Sequence, residues 1–186
     1  MEKERSEEAT QCENDIEQYL TFHLGDELYG FKVNNIREVI EYNQISSVTQ
    51  IPLVPEYIKG VINLRGEVVP VIDLSMRFYN HMNEITRRTC IVMIEVEDEG
   101  EIILVGAMID AVNAVVDILP DDIESTMGFG AKIRSDFISG IGKIDDDKFV
   151  ILLNLNRVLN IDDISNFGES DTDLNTLMLL GSASYS

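Results

Sequence analysis

Residues 57–74 read YIKGVINLRGEVVPVIDL. Two apolar arms, GVINL and VVPVIDL, flank a charged tip of Arg65, Gly66 and Glu67. That pattern predicts a hairpin, because tight turns need glycine and contact with water. Pro70 lies inside the second arm, and its missing N–H places it at an edge, a bulge or a barrel corner. Pro52 and Pro55 mark a loop leading into the hairpin, and Ser75 is placed to cap a short helix, SMRFYN, after it.

The stretch has a counterpart later in the chain. YIKGVINL (57–64) matches FISGIGKI (137–144), with Gly60 meeting Gly140. VIDLS (71–75) echoes LLNLN (152–156) after one extra residue in the second turn. Upstream, LYGFKVNNIREVI (28–40) aligns without gaps with LVGAMIDAVNAVV (104–116). Leu28, Gly30, Val33, Ile36, Val39 and Ile40 thereby meet Leu104, Gly106, Ile109, Val112, Val115 and Val116. Three blocks recurring in order point to a duplicated unit. Short strands joined by tight turns, repeated twice, suit two similar small β-barrels, whose closure removes exposed strand edges.

The remaining segments fit that plan. YLTFHL, GDE and LYGFKV form a first hairpin, and CIVMIEVEDEGEIILVGAMID forms another around an acidic turn. FISGIGKIDDDKFVILLNL is a further strand, turn and strand, followed by a helical turn at NRVLN. A polar connection, DDIESTMGFGAKIRSD, precedes it. Residues 1–17 hold seven acidic and two basic side chains and read as a disordered tail. Beyond residue 162 the chain is again acidic, apart from LNTLMLLG (174–181), which reads as a docking segment, a frayed helix or an unordered stretch, with packing against the body ranked slightly ahead of a functional role.

Composition narrows the function. The 186 residues suffice for one domain or two small lobes. Fourteen basic residues against thirty-four acidic ones give a net charge of −20. Phosphate backbones are repelled by such a surface, so nucleic acid is excluded as a target; binding to anionic lipid headgroups is disfavoured for the same reason, and no direct membrane insertion is expected. No apolar run reaches the ~18 residues of a membrane span. The N-terminus lacks the apolar core of a secretory signal, and Cys12 and Cys90 have no metal-like spacing, which together suit a cytoplasmic location.

No catalytic constellation is visible. His23 falls in an alternating strand and His81 in a polar connection, neither near a nucleophile. The acidic runs EVEDEGE, LPDDIE and IDDDK fall at turns and lack the alternating ligand frame of a calcium loop. GFG and GIG are too short to cradle phosphate, and Asp73 arrives without a base or nucleophile. Neither metal nor cofactor is expected. What remains is binding: Val33, Ile36, Val39, Val112, Val115 and Val116 either belong to the core or line a groove for an apolar helical partner.

The hairpin, with GDELYGFKVNNIREVIEYNQISSV before it, resembles the CheW family of bacterial chemotaxis coupling proteins. The likeness runs from about Gln18 to Asp162. It implies a mainly β, CheW-like fold: two five-stranded SH3-like barrel lobes on a shared apolar core, with a few short helices. The lobes are expected at about 18–80 and 86–162. It further implies a non-enzymatic, cytoplasmic scaffold, recruited to membrane-associated receptor arrays. There the family couples the cytoplasmic tips of chemoreceptors to the CheW-like regulatory domain of the histidine kinase CheA. An adaptor of a non-flagellar chemosensory kinase pathway is the alternative. By resemblance, Arg65 matches the arginine linked to receptor coupling and kinase control. Arg65 also reads as the partner of a turn-stabilising ion pair with Glu67 or Glu38. Ile36 and Glu38 match kinase-contacting positions, Gly60 a position tied to partner binding, and Val115 the receptor-facing groove. Val33, Val39 and Val112 are placed near that groove.

Overall fold

A computed structural model describes residues 16–125 and 135–159. The expectations of an acidic N-terminal tail and of a C-terminal apolar segment fall outside those residues, as does most of the polar connection. The expected first hairpin is β1 (Glu17–Leu24) and β2 (Glu27–Lys32). A 3-10 turn at Val33–Asn35 leads to β3 (Ile36–Glu41). The proline-containing loop then delivers β4 (Ile58–Leu64) and β5 (Glu67–Asp73), followed by helix α1 (Leu74–Tyr79). Next come β6 (Cys90–Asp98), β7 (Glu101–Ile109), β8 (Ala111–Ile118) and the two-residue β9 (Ile123–Glu124). β10 (Ile138–Asp145), β11 (Lys148–Leu153) and helix α2 (Leu155–Leu159) complete the described chain.

Three local expectations are refined. The β4–β5 turn has two residues, not three: Arg65 and Gly66 are both left-handed, at φ 52° and 87°, and Glu67 already pairs with Leu64. Positive φ at both central residues suits the right-handed twist of the flanking strands. Asp73, rather than Ser75, caps α1, its Oδ1 accepting from the Ser75 and Met76 amides at 3.0 and 3.2 Å. Pro70 sits within an inner strand. Its partner Val61 exchanges both backbone hydrogen bonds with Thr49 at 2.8 Å, and pairing of β5 with β7 begins only at Val71. The missing N–H therefore breaks no ladder.

The strands form two sheets, ordered β8-β1-β2-β11-β10-β9 and β3-β6-β7-β5-β4. The division does not follow the expected halves of the chain. β3 follows β2 in sequence but pairs with β6 in the other sheet, and β8 follows β7 but pairs with β1. One reason is visible at Asp110, the single residue between β7 and β8. One residue cannot reverse a strand into a hairpin, so the chain runs on into the neighbouring sheet.

With β3 and β8 exchanged, the repeat becomes a symmetry of the fold. β1, β2, β8, β10 and β11 of one sheet correspond to β6, β7, β3, β4 and β5 of the other, in the same order. Register agrees to the residue: Gly30 pairs with Leu152 where Gly106 pairs with Val71. Even the irregularities recur. β3 bulges between Ile36 and Glu38, and its partner in the repeat, β8, bulges at the strand's corresponding point against Thr21 and Phe22. The β4–β5 and β10–β11 ladders both shift ahead of their glycine, at Ile58/Gly60 and Ile138/Gly140.

A shared core joins the lobes. Phe22, Tyr29 and Phe31 from the first sheet pack in one cluster with Ile72, Val92, Ile94 and Ala107 from the second. Phe22 and Phe31 lie 4.8 Å apart by ring centroid, and both are fully buried. Truncating one such ring to alanine costs about 3–5 kcal/mol. α1 and α2 cover the cluster's end, where the Arg77 guanidinium lies 4.1 Å from the Tyr57 ring centroid and 5.0 Å from that of Phe137.

Candidate functional site: the hairpin clasp and the lobe seam

The opening hairpin's charged tip reaches across its own sheet. Arg65 donates from Nη1 and Nη2 to the two carboxylate oxygens of Glu38, at 3.0 and 3.1 Å. β3 and β4 are the two outer strands of this sheet, so the pair fastens one edge to the other. Of the two ion pairs open to Arg65, the structure contains the one with Glu38. Glu67 lies instead 3.6 Å from Arg37, whose Nε is also 4.0 Å from Glu95.

Local geometry holds the clasp in place. Arg65 occupies a left-handed conformation, which L-residues with a Cβ resist. Asn63 fixes the turn by accepting from the Gly66 amide at 2.9 Å. On the opposite edge, the β3 bulge leaves Arg37 unpaired and re-aims the residues that follow it. Glu38 is thereby half-buried while the Arg65 side chain stays 74 % exposed. The clasp thus presents a guanidinium with one bidentate partner and remaining donors free to meet another carboxylate or carbonyl.

Gly60 lies elsewhere. It is buried at φ 144°, and a Cβ built there would stand 2.2 Å from the Thr49 carbonyl oxygen. Thr49 crosses it by pairing with Val61. Close backbone approach, rather than surface access, is the local reason for glycine.

The apolar candidates divide into two groups. Val33, Ile36 and Val112 are half-buried against the cluster that both sheets share. They stand where the chain crosses between the sheets, and Ile36 and Val112 are repeat equivalents. Val39 and Val115, also equivalents, are 41 % and 54 % exposed on the outer strands β3 and β8. Val115 follows the β8 bulge, which buried Thr21 secures. Thr21 Oγ1 donates to the Ala114 carbonyl at 2.8 Å and accepts from Asn113 at 2.9 Å.

Sequence reasoning missed Arg37, Asn63 and Thr49. Asn63 was readable, since asparagine before a tight turn commonly bonds its own backbone. Arg37 and Thr49 carry no local signal; long-range pairing alone gives them a role. Among the described residues, no group of three or more His, Cys, Asp or Glu is arranged to hold a metal ion, and no helix is long and apolar enough to cross a membrane. Asp73 is engaged as a helix cap; burial pushes its carboxyl above the usual range despite the Met76 and Ser75 amides it accepts from.

These features define a double-lobed β module whose exposed distinctions are an ion-pair clasp and apolar residues on its outer strands. A family profile described as "CheW-like domain" matches residues 18–163. The chain therefore belongs to the CheW-like family. It is 36 % identical over 142 residues to the chemotaxis protein CheW of Bacillus subtilis, covering 73 % of this chain and 88 % of that one. It is 28 % identical over 149 residues to the CheW of Klebsiella aerogenes, covering 80 % and 85 %. The crystal structure of the scaffolding protein TtCheW from Thermoanaerobacter tengcongensis superposes with a TM-score of 0.66 at 34 % identity, covering 76 % of this chain and 86 % of that one. The fold is CheW-like, and the protein is a member of a chemotaxis scaffold family.

Proposed function

We propose that this protein couples chemoreceptors to the histidine kinase CheA as a scaffold without chemistry of its own, recruited from the cytoplasm to receptor arrays. The observation that carries the reading is the bidentate pairing of Arg65 with Glu38, 27 positions apart in sequence. The resemblance ties both residues to coupling, and their pairing joins the two outer strands of one sheet. In this reading Glu38 and Ile36 belong to the kinase-facing surface, with Arg65 setting its register. Val115 and Val39, with Val33 and Val112 at the seam, offer apolar contact to the helical receptor tip. Gly60 acts through the backbone by admitting Thr49 alongside β4. Apolar contacts supply affinity, and the charged pair supplies specificity.

A scaffold transmits a signal only where receptor states bind it with different affinity or geometry. Arg65→Ala should keep the fold and weaken receptor-dependent kinase stimulation. The check is a reconstituted assay of receptor, CheA and this protein, with the β-rich circular dichroism spectrum as the folding control. Undiminished stimulation by the alanine variant would overturn the role given to Arg65. Failure of the unmodified protein to bind either partner would overturn the function itself.

A further inference from the structure

The loop between α1 and β6, residues 80–89, carries side chains that the proposed coupling face does not use. Met82 and Ile85 are 56 % and 43 % exposed. Beside them Arg87 and Arg88 line a cleft of about 620 Å³ together with His23 and Asp110. In this acidic chain four of the described cations sit against carboxylates: Lys32 on Glu17, Arg37 on Glu67, Arg65 on Glu38 and Lys143 on Asp146. Arg87 and Arg88 form no ion pair among the described residues. Asp110 brings a single carboxylate to the cleft against two guanidinium groups, its Oδ2 accepting from the Gly25 amide and from Asn83 at 2.7 Å each. Asn83 also donates to Ser75 Oγ at 2.8 Å, so the cleft's floor is braced from α1 and from both sheets. Two adjacent guanidinium groups on such a floor call for a carboxylate-bearing partner.

The chain contains a segment of matching chemistry. Residues 160–186 include Asp162, Asp163, Glu169, Asp171 and Asp173, and no Lys or Arg. The carboxylates of GESDTD (168–173) are followed at once by the apolar LNTLMLL (174–180). The loop sets out the same two features in complement, Met82 and Ile85 beside Arg87 and Arg88. This segment leaves the described fold at Leu159, close to α1: Arg77 Nε donates to the Val158 carbonyl at 3.3 Å. α1 runs directly into the loop. Ten residues from Leu159 to Glu169 reach about 33 Å when extended. The six-residue α1 in between is only about 9 Å long. The N-terminal segment is a poorer match. It mixes Lys3 and Arg5 among its acids, lacks an apolar run, and joins β1 at the end opposite His23.

We propose that residues 168–180 dock on this loop as an intramolecular strap, with carboxylates on Arg87 and Arg88 and leucines on Met82 and Ile85. The family profile ends at residue 163, so residues 168–180 lie outside the part of the chain it matches. It covers the loop whose Asn83 ties α1 to the β7–β8 crossing.

The test uses the full chain with Cys12→Ser and a nitroxide on Thr176→Cys; Cys90 is buried. A short tether gives an effective concentration on the order of mM, so a contact of mM Kd is formed about half the time. Backbone amide signals of Met82 to Arg88 should then weaken about twofold or more relative to the reduced label. Added salt and R87E/R88E should restore them, and combining R87E/R88E with E169K/D171K/D173K should weaken them again. Unattenuated signals at 82–88, or attenuation indifferent to the charge reversal, would overturn the strap. So would attenuation produced by a nitroxide on Thr10→Cys in place of Thr176→Cys. Attenuation between separate tagged and isotope-labelled molecules in a mixture would equally overturn it, by assigning the contact to a second copy.

Discussion

Arg65 combines two opposing terms in one position. Its left-handed backbone costs roughly 1–2 kcal/mol, while its exposed ion pair with Glu38 contributes about 0–1 kcal/mol. Arg65→Ala keeps the backbone cost and loses the pair, so it should destabilise by about 0.5 kcal/mol. Arg65→Gly removes the left-handed cost and adds a glycine penalty of roughly 0.5–1 kcal/mol, so it should be at least as stable as Arg65→Ala. Urea melts of the two variants decide the matter, and a more stable alanine variant would refute the strain. If both lose kinase stimulation alike, the guanidinium rather than the turn matters for coupling. Asp73 provides a second test at this scale. Its raised pKa means the folded state holds the proton more tightly than the unfolded one. Native stability from this group is therefore complete below the ordinary value of 3.8 and is lost as pH rises through the raised folded value. Asp73→Asn retains the cap acceptor without the charge. Its stability relative to the wild type should climb over that window and then level off, as read from urea midpoints against pH. A pH-independent difference would show that the amide hydrogen bonds offset desolvation, and a difference that falls with pH would show that they dominate it.

At the scale of elements, the hairpins were legible because each announces itself locally, by alternation on either side of Gly, Asp or Glu turns. The cap of α1 was misplaced by two residues, since aspartate and serine compete for the same role and only backbone geometry decides. Gly60 was legible as a position but not as a contact: its neighbour Thr49 lies 11 residues earlier and reaches it through an isolated bridge. Gly60→Ala must move backbone atoms of Thr49 while holding φ 144° with a side chain. Overpacking of roughly 1–3 kcal/mol and backbone strain of similar size together predict a loss of about 3 kcal/mol or more. Gly66→Ala, at φ 87° with open space around it, should cost about 1 kcal/mol. Thermal melts of the pair would separate steric from conformational need. Equal losses would mean that the Thr49 segment yields freely and that Gly60 serves the hairpin no differently from a turn glycine.

For the whole molecule, the duplication could be read from three aligned blocks, but the exchange of β3 and β8 could not. Sequence order says that β3 follows β2; which sheet it completes depends on short crossings and on a core assembled from both halves. The exchange makes each lobe depend on a strand delivered by the other, with Val33, Ile36 and Val112 packed where those strands leave. Neither sheet can open fully while its donated strand stays anchored in the other, so the lobes should unfold as one cooperative unit. Hydrogen exchange tests this directly. The slowest amides of β1 and β2 should report the same opening free energy as those of β6 and β7. Phe22→Ala, a truncation in the first sheet, should lower both by about 3–5 kcal/mol. If the second sheet keeps its protection while the first loses its own, the lobes are independent. The clasp between Arg65 and Glu38 would then report only on its own sheet, and any signal between a receptor and a kinase bound to different lobes would have to travel by a route other than the shared core.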